Sequence, residues 1–134
     1  MFAVQAADGL RRWISGVFSS RAAADAYLTL IPDGDRSKHV VIDLGGMTYP
    51  LYVCEDDKGF RFLKEDEAIA ELRRCTGDAR RDDEDWCYTN LYRIGGDWQP
   101  KRPGTDYMGA LPHHHVTNFT LQYVERDGFA ALWR

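Results

Sequence analysis

The chain has 134 residues, 44% of them hydrophobic and 13% aromatic. This composition excludes an intrinsically disordered chain and suits one packed core. Seventeen Lys and Arg against 21 Asp and Glu give a formal net charge of −4. Nucleic-acid binding depends on a basic face that neutralises phosphates, so the balance argues against a nucleic-acid partner. It is compatible with a basic protein as partner, because complementary charge speeds encounter.

The cysteines and the N-terminal residues indicate in which cellular compartment the protein is expected. Cys54, Cys75 and Cys87 are odd in number and not closely paired, which makes a poor disulfide framework. Residues 1–9 lack the basic and apolar regions of a signal peptide, and no apolar run reaches membrane-spanning length. We therefore expect one cytoplasmic domain, 1–134, with free thiols and no membrane partner.

The first quarter of the chain predicts a hairpin followed by a helix. Residues 2–6 and 12–18 read as strands around the Asp8-Gly9 turn. Ser20 then precedes an apolar-periodic run, which predicts an N-capped helix over Arg21–Leu30. The apolar face of this helix comprises Ala23, Ala24, Tyr27, Leu28 and Ile31.

The middle of the chain predicts further strands and a second helix. Residues 38–44 are strongly β-like, and Gly45-Gly46 reads as a hairpin loop leading to a return strand over 47–54. A short strand at 60–63 follows. Three acidic residues then open a helix over 65–75, since carboxylates favour the positive end of the helix dipole.

The last third predicts strands on either side of a long loop. Residues 86–94 alternate as a strand does, and residues 99–112 contain three prolines and two glycines. Loops of that length are usually functional or poorly ordered. Strands at 116–124 and 129–133, with a turn between them, complete the chain. We therefore expect an α+β fold, mainly an antiparallel sheet of at least five hairpin strands, with two short helices packed on it.

The histidine run 113–115 is the most suggestive motif for chemistry, because neutral imidazoles bind zinc. Neighbouring residues entering a strand point to opposite faces, so His113 and His115 alone could converge on one ion. No spacing pattern supplies further ligands, and a surface cluster at the end of a loop is the favoured interpretation. No cofactor is predicted, and no catalytic residue is assigned.

The acidic run Asp82, Asp83, Glu84 and Asp85 lacks the ligand spacing of a calcium loop. It stands directly before Trp86, and the following loop carries Trp98 and Tyr107. Aromatic anchors beside carboxylates are typical of a protein-binding patch. We therefore predict that these seven residues form the partner-binding surface, although Trp86 is more typical of a core residue.

The sequence resembles two kinds of known protein. Residues 16–28, GVFSSRAAADAYL, resemble the strand-to-helix entry of SPOR-type peptidoglycan-binding repeats. Those repeats are shorter and follow an export signal, so their function is not transferred. The whole chain resembles, in type, the small acidic immunity proteins that accompany bacterial toxins, a resemblance that transfers no residue.

The immunity-protein resemblance implies a non-enzymatic domain that occludes the active site of a basic toxin. One alternative is a small hydrolase or metal-dependent enzyme that uses the histidine run with Asp106 and Tyr107. Another is an accessory domain with no fixed ligand. The sequence predicts neither the partner's identity nor the oligomeric state.

Overall fold

The structure is a computed structural model that contains both strands and helices. It describes residues 1–81, 86–106 and 108–134, and within these ranges it leaves out the side chains of 75–81, 86–88 and 118. The strands are β1 (Phe2–Asp8), β2 (Arg11–Phe18), β3 (His39–Asp43), β4 (Leu51–Asp56), β5 (Gly59–Leu63), β6 (Trp86–Ile94) and β7 (His113–Thr117). The α-helices are α1 (Arg21–Leu30), α2 (Asp33–Arg36), α3 (Glu65–Arg81) and α4 (Asn118–Asp127). Short 3-10 helices lie at Met108–Ala110 and Phe129–Trp133.

The α+β class with antiparallel sheets is confirmed. The expected single sheet of at least five strands is wrong, because the strands that the structure describes form one sheet in the order β2-β1-β3 and another in the order β5-β4-β6-β7. The chain forms two compact units, a first unit of residues 1–49 and 94–110 and a second unit of residues 50–93 and 111–134. The single domain remains a prediction.

In the first unit, α1 packs on the three-stranded sheet. Ser20 caps it as predicted, accepting the Ala23 N–H at 3.1 Å. The helix buries Ala24, Tyr27 and Ile31 against the sheet. Burying one large apolar side chain stabilises a fold by about 1.5–3 kcal/mol. The sheet and the helix therefore form one hydrophobic core, whose buried members are Val4, Phe18, Ala24, Tyr27 and Ile31.

The helix α2 was not predicted. Pro32 ends α1 as expected, but Asp33 and Asp35 then start one further turn. Arg36 of that turn reaches back and donates to the carbonyl oxygens of Leu28 at 3.1 Å and Ile31 at 3.0 Å. A cation at the carboxyl end of a helix is favourable, so α2 completes the end of α1.

The predicted hairpin between residues 38–44 and 47–54 is wrong. The strand β3 pairs with β1, with Val41 opposite Val4, and β4 belongs to the other sheet. Gly45-Gly46 does form a turn, in which the Met47 N–H reaches the Leu44 carbonyl at 3.1 Å. The chain then leaves the sheet, since Pro50 has no N–H to continue a ladder.

In the second unit, α3 and α4 pack on the sheet that contains β4 and β6. The second predicted helix continues beyond residue 75 to Arg81. The buried side chains that form this core are Tyr52, Cys54, Leu63, Ala68, Leu72, Leu91, Val116, Val124, Phe129 and Leu132. The β4–β5 hairpin turns at Asp56–Gly59 as predicted, with Gly59 at φ +136°.

The predicted strand over 116–124 is also wrong, because β7 ends at Thr117 and α4 begins. Thr117 Oγ1 accepts the Phe119 N–H at 3.2 Å, and the Thr117 N–H donates to Thr120 Oγ1 at 2.9 Å. This reciprocal capping satisfies N–H groups that the helix leaves free. Gly128 then ends α4 at φ +89°, and residues 129–133 form a 3-10 helix instead of the predicted strand.

Candidate functional site

The candidate site in the described residues is a groove along α1 in the first unit. Two small side chains, Ala23 and Ala26, lie on one face of this helix, and Leu30 follows one turn later with 57% of its surface exposed. An exposed side chain of this size on a helix is available for contact. The short alanines leave space beside the helix, and Leu30 bounds that space.

Trp98 also lines the groove. Its N–H donates to the Val17 carbonyl at 2.9 Å, and its carbonyl accepts the Val17 N–H at 2.9 Å. This isolated antiparallel bridge attaches the segment to the outer edge of β2. The indole side chain is half-buried, so its orientation is restrained before anything binds.

Together these elements enclose an open groove of about 530 Å³. Buried Phe18 and Tyr27 belong to the lining. The complete lining is Phe18, Ala23, Ala26, Tyr27, Thr29, Leu30, Asp97, Trp98 and Gln99. A volume of this size accommodates a group of several side chains or a small molecule.

Asp97 gives one end of the groove a negative charge. Its Oδ1 accepts the Ser19 N–H at 2.9 Å and the Tyr49 hydroxyl at 2.7 Å. Burial, together with the hydrogen bond to Asp97, raises the pKa of Tyr49 well above its ordinary value. Tyr49 therefore stays protonated and keeps donating to the carboxylate, which fixes the position of Asp97 next to Trp98.

The long loop after Trp98 is anchored through Gly104. The Trp13 indole N–H donates to the Gly104 carbonyl at 3.0 Å, and the Gly104 N–H donates to the Tyr27 hydroxyl at 2.8 Å. Tyr27 also lies 2.6 Å from Ser15 Oγ. Buried polar groups of this kind are costly to leave unpaired.

The histidines occupy alternate faces of β7, as predicted from strand geometry. His113 Nδ1 lies 2.7 Å from the Leu111 carbonyl, His115 Nδ1 lies 3.2 Å from Asn90 Oδ1, and His114 bonds to the Leu132 carbonyl. Within residues 1–81, 86–106 and 108–134, no three His, Cys, Asp or Glu side chains form a group that could hold a metal ion. His113 and His115 thus both have hydrogen-bond partners within the protein.

The other predicted site residues are only partly described. Asp82, Asp83, Glu84, Asp85 and Tyr107 lie outside the described residues. Trp86 begins β6, but its side chain is not described. Asp106, which the enzyme alternative required, lies 3.8 Å from Arg11 in an ion pair. Of the seven predicted binding residues, Trp98 is therefore the one whose surroundings the structure gives.

Sequence reasoning missed the partners of Trp98 in this groove. Ala23 was assigned to the core face, and Ala26, Leu30 and Asp97 were not considered. The spacing of Ala23, Ala26 and Leu30 at positions i, i+3 and i+7 is the signal that marks them as one helix face. A mixed lining of aromatic, aliphatic and carboxylate groups can contact a partner of mixed polarity.

Comparisons with protein-family models, with curated proteins and with solved structures found no match to this chain. No helix among the described residues is both long enough and apolar enough to cross a membrane.

Proposed function

We propose that this chain is a non-enzymatic domain that binds a basic protein and, in its most concrete form, an immunity-type inhibitor that occludes the active site of a bacterial toxin. One observation carries the proposal: Trp98, held by two backbone hydrogen bonds, lines the same groove as exposed Leu30. Tryptophan is among the residues that most often dominate binding energy.

Preorganisation supports a binding role for this groove. Association loses free energy when loops and side chains must be ordered at an interface. The bridge to Val17 and the anchoring of Gly104 on Tyr27 order this segment in the free protein. An apolar partner side chain that enters this groove would therefore bind with little further ordering.

Charge supports a basic partner. The chain carries a net charge of −4, and Asp97 places a carboxylate in the groove lining itself. The acidic run Asp82–Asp85 contributes four carboxylates to the charge of the chain, and a net negative charge raises the rate of encounter with a positively charged surface. Occlusion needs no chemistry, only a surface that complements the partner.

Co-expression tests this function directly. The chain is produced together with each product of its neighbouring genes, and growth and complex formation are measured by culture density and size-exclusion chromatography. We expect one neighbouring product to be toxic alone, harmless with the chain and recovered in a stable complex. Neutralisation by turnover, with no complex recovered, would contradict the proposal.

Charge reversal tests whether the acidic run speeds association with the partner. Replacing Asp82, Asp83 and Asp85 with Lys should leave stability within about 0.5 kcal/mol of the parent, because the sequence predicts that this run is exposed and surface changes usually have small effects. It should slow association, more strongly at low salt, because screening weakens long-range attraction. An association rate that is unchanged at low salt would show that the acidic run does not steer the partner.

A further inference from the structure

Two guanidinium groups of the second unit meet at one carboxylate. Arg61 of β5 donates to Glu71 Oε1 at 2.6 Å, and Arg74 donates to the same oxygen through Nε at 3.1 Å and through Nη2. Glu71 is 9% exposed, whereas the arginine side chains are 50% and 53% exposed. A buried carboxylate thus positions two exposed cations.

The hydrogen bonds keep this cluster ionised. Donation from Arg74, followed by that from Arg61, holds the pKa of Glu71 below its ordinary value. The same contact with Glu71 raises the pKa of Arg61. Arg61 also approaches the buried Cys54 Sγ at 3.7 Å, which restrains its guanidinium further.

Lys58 adds a third cation from the β4–β5 turn. Asp56 Oδ1 accepts the Lys58 N–H at 2.8 Å, which fixes this turn before Gly59. Lys58, Arg61 and Arg74 line a pocket of about 340 Å³ together with Asp56, Gly59 and Phe60. The described side chains thus place three cations, Lys58, Arg61 and Arg74, around this pocket, and Glu71 holds two of them.

We propose that this pocket, named here the Lys58–Arg61 pocket, binds a phosphoryl group. Guanidinium groups match phosphate oxygens with parallel N–H donors, and lysine acts on phosphate as a point charge. Several cations around one ligand favour a dianion over a carboxylate. Glu71 fixes the guanidiniums in advance, which reduces the ordering that binding requires. This site is separate from the α1 groove and does not depend on the proposed function.

Phosphate titration of the full chain tests the pocket. Inorganic phosphate is added at constant ionic strength, and the backbone amide shifts of residues 58–61 are followed by NMR. We expect saturable shifts with a Kd on the order of 1 mM. Lys58→Gln should weaken binding about fivefold, while the matched control Arg12→Gln, an exposed arginine of the first unit, should bind as the parent does. Absence of saturable shifts, or equal affinity of the Lys58→Gln and Arg12→Gln variants, would overturn the proposal.

Arg61 needs a conservative variant because it also supports Glu71. Arg61→Lys keeps the charge and loses the planar fork, so phosphate affinity should fall about threefold with residues 58–61 still folded. Parent-like affinity in a folded Arg61→Lys variant would contradict a role for the guanidinium. Parallel titrations with O-phosphoserine and with AMP identify the kind of molecule that carries the phosphoryl group. Tighter binding of either compound than of inorganic phosphate supports that compound's class as the ligand. Equal affinity of all three supports recognition of the phosphoryl group alone.

Discussion

The hydroxyl of Tyr27 on α1 accepts the backbone N–H of Gly104, 77 residues away in sequence, at 2.8 Å. Tyr27 is 2% exposed, and its hydroxyl also lies 2.6 Å from the fully buried Ser15. This one oxygen therefore joins the helix, β2 and the proline-rich loop. It holds the segment that carries Trp98 in place beside α1.

Tyr27→Phe should destabilise the protein by about 2 kcal/mol, because the Gly104 N–H and Ser15 Oγ lose a partner while buried. Urea denaturation followed by tryptophan fluorescence measures the change. Ser15→Ala removes only one partner and should cost about 1 kcal/mol. A Tyr27→Phe variant within about 0.5 kcal/mol of the parent would show that the hydroxyl does not hold the loop.

Glu71→Gln should make the free energy of unfolding depend less on pH in the acidic range. The pKa of Glu71 is lowered in the folded protein, so its contribution is complete above the unfolded pKa of about 4.3 and is lost as the pH falls through the folded value. The variant should be about 1–2 kcal/mol less stable than the parent at pH 7. This difference should narrow as the pH falls towards 3.

Urea denaturation at a series of pH values measures this difference. Glu125→Gln, at an exposed position of α4, is the matched control and should differ little from the parent at any pH. A stability difference between the parent and Glu71→Gln that stays constant from pH 7 to pH 3 would mean that the contacts with Arg61 and Arg74 do not stabilise the ionised form.

The Cys54 thiol should resist modification in the native protein. Its side chain is fully buried, and burial raises its pKa to about 11. In a Cys75→Ser, Cys87→Ser background, iodoacetamide should label Cys54 at least about a hundredfold more slowly in the folded than in the urea-unfolded protein. Mass spectrometry over time gives both rates, and comparable rates would contradict the burial. Titration of the unfolded parent without reductant should find three thiols.

Local signals determined the elements that sequence reasoning placed correctly. The predicted helix at Arg21–Leu30 matches α1 because Ser20 caps it and the apolar period continues until Pro32. The predicted strand at 86–94 matches β6 because its alternation is continuous. In both segments, propensity, pattern and termination signals favour the same structure.

The errors arose where distant contacts decide between two local patterns. Residues 116–124 alternate as a strand does, yet Thr117 and Thr120 also form a helix capping pair. Burial of Val124 against the second unit's core favours the helix. Likewise, the glycine pair after β3 suggested a local hairpin, but β3 pairs with β1 from the start of the chain. Such non-local pairing leaves no local sequence signal.

One of the predicted binding residues, Trp98, lines the candidate groove. Trp98 was identified because an aromatic side chain in a long polar loop is typical of an interface. The groove around it could not be predicted, since it requires Val17 to pair with Trp98 and α1 to lie beside residues 97–99. The spacing of Ala23, Ala26 and Leu30 indicates a helix face but not what lies opposite.

The dissociation rate of the complex with the partner that co-expression identifies tests the central claim most directly. Trp98→Ala should raise this rate by roughly thirtyfold, the equivalent of about 2 kcal/mol for a central anchor. Leu30→Ala should raise it less, and Leu10→Ala, a truncation of another exposed leucine in the first unit, should leave it unchanged. Surface plasmon resonance gives all four rates. Dissociation rates of the Trp98→Ala and Leu30→Ala complexes equal to that of the parent complex would contradict the account. Metal-dependent turnover of small substrates that is lost when His113 and His115 are both replaced by Ala would also contradict it.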